Sequence, residues 1–141
     1  EDVGICLGDA FNKALGEKDE NKILYYSPEG GDSSLIKPQN FSNSFLVEVL
    51  KLDSFIFQEN LNNKKIKLLK LEAEGSEPEI LLGAKNLLKN VEYIAADLGP
   101  ERGLDEENTV AKVTEILQDA GFTMKYFSHI YKALFVNNNP L

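Results

Sequence analysis

Residues 66–79 read Ile66-Lys67-Leu68-Leu69-Lys70-Leu71-Glu72-Ala73-Glu74-Gly75-Ser76-Glu77-Pro78-Glu79. The first part of this run is apolar on both faces of an extended chain, which is typical of a buried parallel strand. Two carboxylates follow at Glu72 and Glu74, and Gly75 permits a sharp turn because it has no side chain. Ligands of open α/β sheets bind beyond the carboxyl ends of parallel strands. The run therefore predicts a strand that ends at the edge of a functional site.

A helix and a second strand are predicted after this turn. Ser76 and Glu79 have the spacing of an S-x-x-E capping box, and Pro78 is tolerated in a first helical turn. Apolar residues then continue at helical spacing as far as a stop at Asn90, and residues 91–98 have the composition of a strand. Strand, helix and strand together make a βαβ unit, whose crossover is right-handed in nearly all proteins. Such a unit brings the residues that follow both strands to the same edge of the sheet.

Further elements are predicted on both sides of this unit. Before it we expect a strand end at residues 14–16, strands at 22–27 and 45–52, and a short helix or irregular turn within 54–63. After it we expect a helix capped by Asp105 or Asn108, with an inner face of Val110, Val113, Leu117 and Ala120 and an end at Gly121. Residues 122–127 and 131–136 are two strands close enough to form an antiparallel hairpin. The pattern predicts an α/β fold with a parallel βαβ core that ends in an antiparallel hairpin.

Composition narrows the class of protein. The chain has 141 residues, of which 43% are hydrophobic, so it is large enough for one domain with a single core. Its net charge of −8 argues against general affinity for nucleic acid or anionic membranes. Cys6 is its only cysteine, so an intrachain disulfide is excluded. No apolar run has the length of a membrane span, and nothing resembles a signal peptide. We therefore expect a soluble, cytoplasmic domain.

The central run also resembles the signature of a known family. Residues 70–77 resemble the lysine-isoleucine-aspartate-valine-glutamate-glycine-alanine-glutamate motif of FkbM-type methyltransferases. Residues 82–84, Leu-Gly-Ala, resemble the leucine-x-glycine-alanine that follows this motif in the family. The Ala-Leu-Gly of residues 14–16 and the serine-rich stretch 31–35 are similar to a strand end and a loop of that family. The resemblance covers residues 11–136 and is most specific in the central motif.

The resemblance implies a fold, a reaction and a set of site residues. The implied fold is a partial Rossmann-like class I methyltransferase sheet, which ends in an antiparallel hairpin. The implied reaction is methyl transfer from S-adenosylmethionine to a hydroxyl oxygen of a sugar or a polyketide-like small molecule. A carboxylate assists such a transfer by taking the hydroxyl proton of the acceptor. The implied roles are catalytic for Lys70, Glu72 and Glu74, cofactor-binding for Asp32, Ser33 and Ser34, and substrate-binding for Asp97, Glu101 and Arg102.

Each implied role has a structural alternative. The glutamates can cap a turn or lie solvated at a strand end, the serines can belong to a polar turn, and Arg102 can form a surface ion pair. Lys70 can extend into solvent or pair with Glu72. Glu77 and Glu79 we assign to structure, because negative charge stabilises the first turn of a helix. The spacing of these acids matches no calcium-binding loop, so we expect no metal site.

The chain departs from the family pattern in two places. Glu72 stands where the family has an aspartate and is one methylene longer. The glycines at positions 4, 8, 30 and 31 do not form the glycine-rich fingerprint that binds the cofactor. We therefore expect residues 1–141 to form one methyltransferase-like domain that lacks the N-terminal cofactor-binding strands. The alternative function is a non-catalytic binding or assembly domain.

A sheet without those strands has consequences for association. Its first parallel strand would lack a neighbour on one side, and unpaired strand edges recruit other chains. We expect a small-molecule acceptor as the ligand and a homodimer formed through the exposed sheet edge.

Overall fold

A computed structural model describes residues 8–27 and 32–141 of the protein. The strands are β1 (Ala14–Leu15), β2 (Glu20–Ser27), β3 (Asp32–Ser34), β4 (Asn43–Leu50), β5 (Ile66–Leu71), β6 (Val91–Asp97), β7 (Pro100–Arg102), β8 (Glu107–Asn108), β9 (Phe122–Phe127) and β10 (Lys132–Asn137). The helices are α1 (Leu52–Gln58), α2 (Glu77–Leu82) and α3 (Val110–Asp119), with a 3₁₀ helix at Leu87–Asn90. The expectations for Cys6, Gly4, Gly30 and Gly31 fall outside the described residues.

The described strands form two four-stranded sheets and a small ribbon. The first sheet has the order β1-β4-β2-β3, in which only β1 and β4 are parallel. The second sheet has the order β5-β6-β10-β9, in which only β5 and β6 are parallel. Strands β7 and β8 pair by themselves. The described residues therefore have a mixed α/β architecture with few helices.

The central unit and the terminal hairpin are confirmed. Strand β5 spans Ile66–Leu71 and pairs in parallel with β6 from Ile66 opposite Val91 to Leu71 opposite Ala96. The prediction that this strand is buried is wrong, because among the described strands only β6 pairs with it, and Lys67, Leu68 and Lys70 are exposed. Strand β10 lies antiparallel between β6 and β9, which gives the sheet its antiparallel end. Parallel strands need a long crossover, and the segment containing α2 and the 3₁₀ helix provides it.

The partial Rossmann-like sheet that the resemblance implied is not clearly present, because each four-stranded sheet of the described residues contains only one parallel pair. Strand β4 returns antiparallel to β2, because the described part of their connection contains the short strand β3 and no helix that could carry a crossover. The strands before β5 consequently build a separate sheet and do not extend the parallel pair. The strand predicted at 45–52 is observed as β4, Asn43–Leu50, and α1 begins earlier than the predicted helix, at Leu52.

The helix predicted to continue to Asn90 is interrupted after α2. A β-carbon at Gly83 would lie 2.1 Å from the carbonyl oxygen of Gly16, so the two chain segments touch at a point that only glycine permits. The carbonyl of Gly83 also accepts a 2.9 Å hydrogen bond from the amide of Asp53. The Asp53 carboxylate in turn accepts the amide of Leu87 at 2.9 Å, at the start of the 3₁₀ helix. These tertiary contacts end α2 and join the first sheet to the second.

The helix starts also differ from the predictions. The hydroxyl of Ser76 caps no amide and Glu79 pairs with Arg102, so the capping box predicted for α2 is not formed. Helix α3 begins after Thr109, and the amide of its first residue, Val110, donates a 3.2 Å hydrogen bond to Oδ1 of Asn108, one of the two predicted caps, whereas Asp105 lies further upstream. At its end, Gly121 has a φ of +89° and follows the helix as predicted, but Ala120 is exposed and does not belong to the inner face.

The core lies between one face of the second sheet and helices α2 and α3. Ile94 and Phe135, which lie opposite each other on β6 and β10, are fully buried. Leu81 of α2 and Leu117 of α3 are buried as completely. Burial of such side chains contributes about 1.5–3 kcal/mol each to stability. The core therefore holds the carboxyl ends of β5 and β6 in place.

No helix among the described residues is long and apolar enough to cross a membrane.

Candidate functional site

A cavity of about 260 Å³ lies beyond the carboxyl ends of β5 and β6. The turn after β5 contributes Glu74, and the segment after β6 contributes Glu101. The opposite wall comes from the first sheet and the loop that follows it. The residues from that side include Tyr25, Ser33, Ser34, Pro38, Gln39 and Asn40. The cavity thus lies at the sheet edge beyond the parallel pair, and residues from both sheets close it.

The turn that carries Glu74 is anchored from the first sheet. Glu74 has a φ of +47°, a conformation that side chains rarely adopt, so the turn needs support from outside. The buried hydroxyl of Ser34 donates a 2.8 Å hydrogen bond to the Glu74 carbonyl and accepts one of 3.1 Å from the Ile36 amide. Ser33 is exposed and lines the cavity, whereas the structure describes only the backbone of Asp32. Ser34 therefore positions the turn on which Glu74 lies.

Among the residues that line the cavity, Glu101 has the most clearly shifted pKa. Burial, together with the negative charges of Glu74 and Asp97, raises the pKa of Glu101 to about 7. The nearby Lys132 acts in the opposite direction. A β-carbon at Gly99 would lie 2.9 Å from Oε1 of Glu101, so Gly99 gives the carboxyl group its present position without a steric conflict. Glu101 can consequently exchange a proton near neutral pH.

The remaining predicted catalytic residues lie away from this cavity. Lys70 pairs with Glu72, and Lys132 pairs with Asp97, at the end of a separate shallow depression of about 350 Å³. Side chains alternate between the two faces of a strand, so Lys70 and Glu72 lie on the same face of the second sheet as Asp97 of β6 and Lys132 of β10. Glu74 lies beyond the strand, in the turn. The structure therefore brings together Glu74 and Glu101, with Ser33 and Ser34, in one cavity. Lys70, Glu72 and Asp97 line the neighbouring depression, from which Asp97 still acts electrostatically on Glu101.

The guanidinium of Arg102 is bound to the turn after β5. Its two terminal nitrogens donate to the Glu79 carboxylate at 2.9 and 2.7 Å, and one of them also donates to the Gly75 carbonyl at 2.5 Å. The hydrogen bond with Glu79 raises the pKa of Arg102. A two-pronged pair of this kind fixes the orientation of both side chains. Arg102 therefore forms an ion pair, which was the structural alternative to a substrate-binding role. Through this pair the arginine holds the segment that carries Glu101.

Glu77 has a structural position, as its place in the first helical turn predicted, but its contacts were not foreseen. It is 1% exposed, and its Oε1 accepts the amides of Ala73 and Gly75 at 2.9 and 3.2 Å. Three residues that line the cavity, Tyr25, Gln39 and Glu106, were also missed, as was Lys132, whose charge acts on Glu101 from the neighbouring depression. Gln39 donates a 2.7 Å hydrogen bond to the Leu104 carbonyl, far along the chain. No local pattern could have identified these residues, because each reaches the site through the packing of distant segments.

No suitable cradle for S-adenosylmethionine was found in residues 8–27 and 32–141. A β-carbon at Gly16 would meet the side chain of Val49 at 2.8 Å, and one at Gly75 would meet the backbone of Arg102 at 2.6 Å. These glycines, like Gly83, therefore permit close packing within the protein and do not leave room for a ligand. At these three positions the described residues therefore form no glycine-rich cradle of the kind that binds a nucleotide. The same residues also contain no group of histidine, cysteine, aspartate or glutamate that could hold a metal ion.

Comparison with known proteins identifies the family. A family model described as the methyltransferase FkbM domain matches residues 8–124. The match spans most of the chain and includes both the signature at 70–77 and the wall contributed by the first sheet, so the chain belongs to the FkbM methyltransferase family. No curated protein and no solved structure matches it.

Proposed function

We propose that this protein takes part in the O-methylation of a small sugar-like or polyketide-like molecule, with S-adenosylmethionine as the methyl donor. Membership of the FkbM family supports methyl transfer as the type of reaction. The observation that carries the proposal further is the cavity in which Glu74 and Glu101 meet beyond the parallel strands. In this proposal the described residues bind the acceptor and remove its proton.

The lining of the cavity favours a neutral acceptor that carries hydroxyl groups. Tyr25 offers an aromatic surface, and Gln39, Asn40 and Ser33 offer groups that can bind hydroxyls by hydrogen bonds. The carboxylates of Glu74 and Glu106 disfavour an anionic acceptor, because like charges repel in a partly desolvated cavity.

The proposed base is Glu101. Replacing a hydroxyl hydrogen by a methyl group requires that a proton leave the acceptor oxygen, and a base with a pKa near the working pH takes it most effectively. Burial and the charge of Glu74 raise the pKa of Glu101 to about 7, which satisfies this requirement. Glu74 thus acts on Glu101 electrostatically, and Ser34 and Arg102 hold the two segments that carry these carboxyl groups.

A non-catalytic binding or assembly domain is the alternative function. The observation in its favour is that Gly16, Gly75 and Gly83 pack against protein atoms and form no cofactor cradle. The longer Glu72 in place of the family aspartate points in the same direction, since it is exposed and pairs with Lys70. Such a domain would retain the acceptor cavity and would bind the small molecule without methylating it.

The deciding experiment is calorimetric titration of the chain with S-adenosylmethionine and S-adenosylhomocysteine. Micromolar binding supports the methyltransferase, and absence of binding supports the binding domain. If the donor binds, we expect Glu101→Gln to lower kcat for a hydroxyl acceptor by about 10²-fold or more, the usual contribution of a general base. The matched control is Glu107→Gln, because Glu107 is exposed on β8 and does not line the cavity. Equal activity of the Glu101 variant and the wild type would contradict the assignment of the base.

A further inference from the structure

A groove of about 460 Å³ lies between the ends of helices α2 and α3, and it is larger than the cavity of about 260 Å³ at the candidate site. Its floor is apolar, because it includes Leu81 and Leu88, which are buried members of the core. The partly buried side chains of Leu82 and Ile116 extend this apolar surface towards the rim. A volume of this size with an apolar floor is typical of a site for a small molecule.

The groove is separate from the candidate site. All the residues that line it lie between positions 81 and 120, and none of them lines the cavity that contains Glu74 and Glu101. None of the described strands contributes a residue to the groove, so its walls do not involve the edge of β5. A molecule bound in the groove would consequently leave the acceptor cavity unoccupied.

Two lysines give the rim of the groove a positive charge. Lys85 and Lys89 line it, and both are exposed. Within the described parts of the chain, neither of these lysines forms an ion pair. The acidic residue of the lining is Asp119, whose charge also acts on Lys112, outside the groove. Although the whole chain has a net charge of −8, this rim attracts an anionic group.

The apolar floor and the basic rim together fit an amphiphilic anion. A carbon chain on the floor is removed from water, which is favourable in proportion to the apolar area covered. A carboxylate at the rim accepts charge-assisted hydrogen bonds from lysine ammonium groups. Because the rim is exposed, the charged group keeps part of its hydration and avoids the cost of full burial.

We propose that this groove binds an aliphatic carboxylate, with its carbon chain against Leu81, Leu88 and Ile116 and its carboxylate between Lys85 and Lys89. The proposal does not rest on methyl transfer, since the groove shares no residue with the candidate site. Binding can therefore be measured on the whole chain without an activity assay.

Calorimetric titration with hexanoate, octanoate and decanoate, each kept below the concentration at which it forms micelles, tests the chemistry of the ligand. We expect the affinity to rise about two- to fourfold with each added methylene group, because each one buries further apolar surface. Octylammonium has the same chain length as octanoate and the opposite charge, and it should bind at least tenfold more weakly. Absence of carboxylate binding at millimolar concentration overturns the proposal, and so does equal or tighter binding of octylammonium.

Removal of the two lysines tests the basic rim. Lys85→Ala/Lys89→Ala should raise the dissociation constant of decanoate by about tenfold or more, because the carboxylate loses both of its cationic partners. The matched control is Lys18→Ala/Lys125→Ala, which removes two exposed lysines that do not line the groove and should leave the constant unchanged. Equal constants for the two double variants would contradict the placement of the carboxylate.

Filling the groove tests the placement of the carbon chain. Ala120 is exposed and lines the groove, so Ala120→Trp should abolish the binding of decanoate by occupying its space. Ala111 is exposed on the same helix but does not line the groove, and Ala111→Trp should bind decanoate as the wild type does. Circular dichroism shows whether both variants are folded. Undiminished binding by folded Ala120→Trp would place the ligand elsewhere and overturn the proposal.

Discussion

The buried carboxylate of Glu77 accepts a 3.0 Å hydrogen bond from the hydroxyl of Thr109 and so joins the turn after β5 to the beginning of α3. The other oxygen of the carboxylate accepts the amides of Ala73 and Gly75. These donors compensate for the loss of solvation of a buried charge. The conformation of the turn, and with it the position of Glu74 at the cavity, depends on this group.

Removal of the Glu77 carboxylate should destabilise the fold. Glu77→Ala leaves buried amide donors without acceptors, so we expect the free energy of unfolding to fall by about 2–4 kcal/mol. Urea denaturation followed by circular dichroism measures this change. Glu115→Ala, which removes an exposed glutamate paired with Lys112, should leave the midpoint unchanged. A similar midpoint for both variants would show that the Glu77 contacts add little.

Two glycines with the same backbone conformation should respond differently to alanine. Gly75 and Gly121 both have a φ of +89°, but a β-carbon at Gly75 would lie 2.6 Å from Cα of Arg102, whereas the space around Gly121 is open. Gly121→Ala should cost about 1–2 kcal/mol through backbone strain alone. Gly75→Ala adds a steric conflict with backbone atoms and should cost clearly more. Equal losses in thermal or urea unfolding would mean that the turn can move away from Arg102.

The pair formed by Arg102 and Glu79 should show a measurable coupling energy. The two side chains are 28% and 22% exposed and meet through two hydrogen bonds. In a double-mutant cycle with Arg102→Met and Glu79→Gln, we expect an interaction of about 1 kcal/mol. The control cycle uses Lys67 and Glu92, whose side chains are 74% and 37% exposed and which should show no significant coupling. Additive losses at Arg102 and Glu79 would argue against a role of the pair in holding the Glu101 segment.

Glu101 should make stability depend on pH. Its pKa is raised on folding from 4.5 to about 7, so the folded chain binds this proton more strongly than the unfolded chain. The group consequently has no effect below pH 4.5, and it destabilises the fold increasingly as the pH rises to about 7. Glu101→Gln should gain stability relative to the wild type through this interval, measured as melting temperature against pH.

A second variant tests the cause of this pH dependence. Lys132 lowers the pKa of Glu101, so Lys132→Met should move the interval towards higher pH. In a methyl-transfer assay, the acidic limb of the rate profile should move in the same direction. A limb that stays in place would show that a group other than Glu101 limits the rate.

The elements predicted correctly from sequence are those with strong local patterns. Strand β5 and the β9–β10 hairpin combine apolar runs with nearby turn signals, and Gly121 marks the end of α3. The capping box at Ser76 was wrong because Glu79 is attracted more strongly to Arg102, an interaction that links residues far apart in the chain. The length of α2 was wrong for the same kind of reason, since Gly83 packs against the backbone of the first sheet.

The residues of the candidate site also fall into two groups, those that a local pattern indicates and those that depend on contacts between distant segments. The linear pattern places carboxylates at the sheet edge that follows β5 and β6, and Glu74 and Glu101 are two of these residues. The separation of Glu72 from that cavity depends on strand alternation and on the turn, in which Glu74 takes a positive φ. The wall that carries Tyr25 and Gln39 depends on how the first sheet packs.

The amino-acid sequence alone determined the FkbM family, the parallel pair β5–β6 and the acidic character of the sheet edge that follows this pair. Each of these features depends on a short apolar or charged pattern in the sequence. Only the tertiary structure decided which carboxyl groups meet in a cavity and why Glu101 binds a proton near neutral pH. The physical reason is that burial, electrostatic interaction and strand pairing depend on distances in space between residues that are remote along the chain.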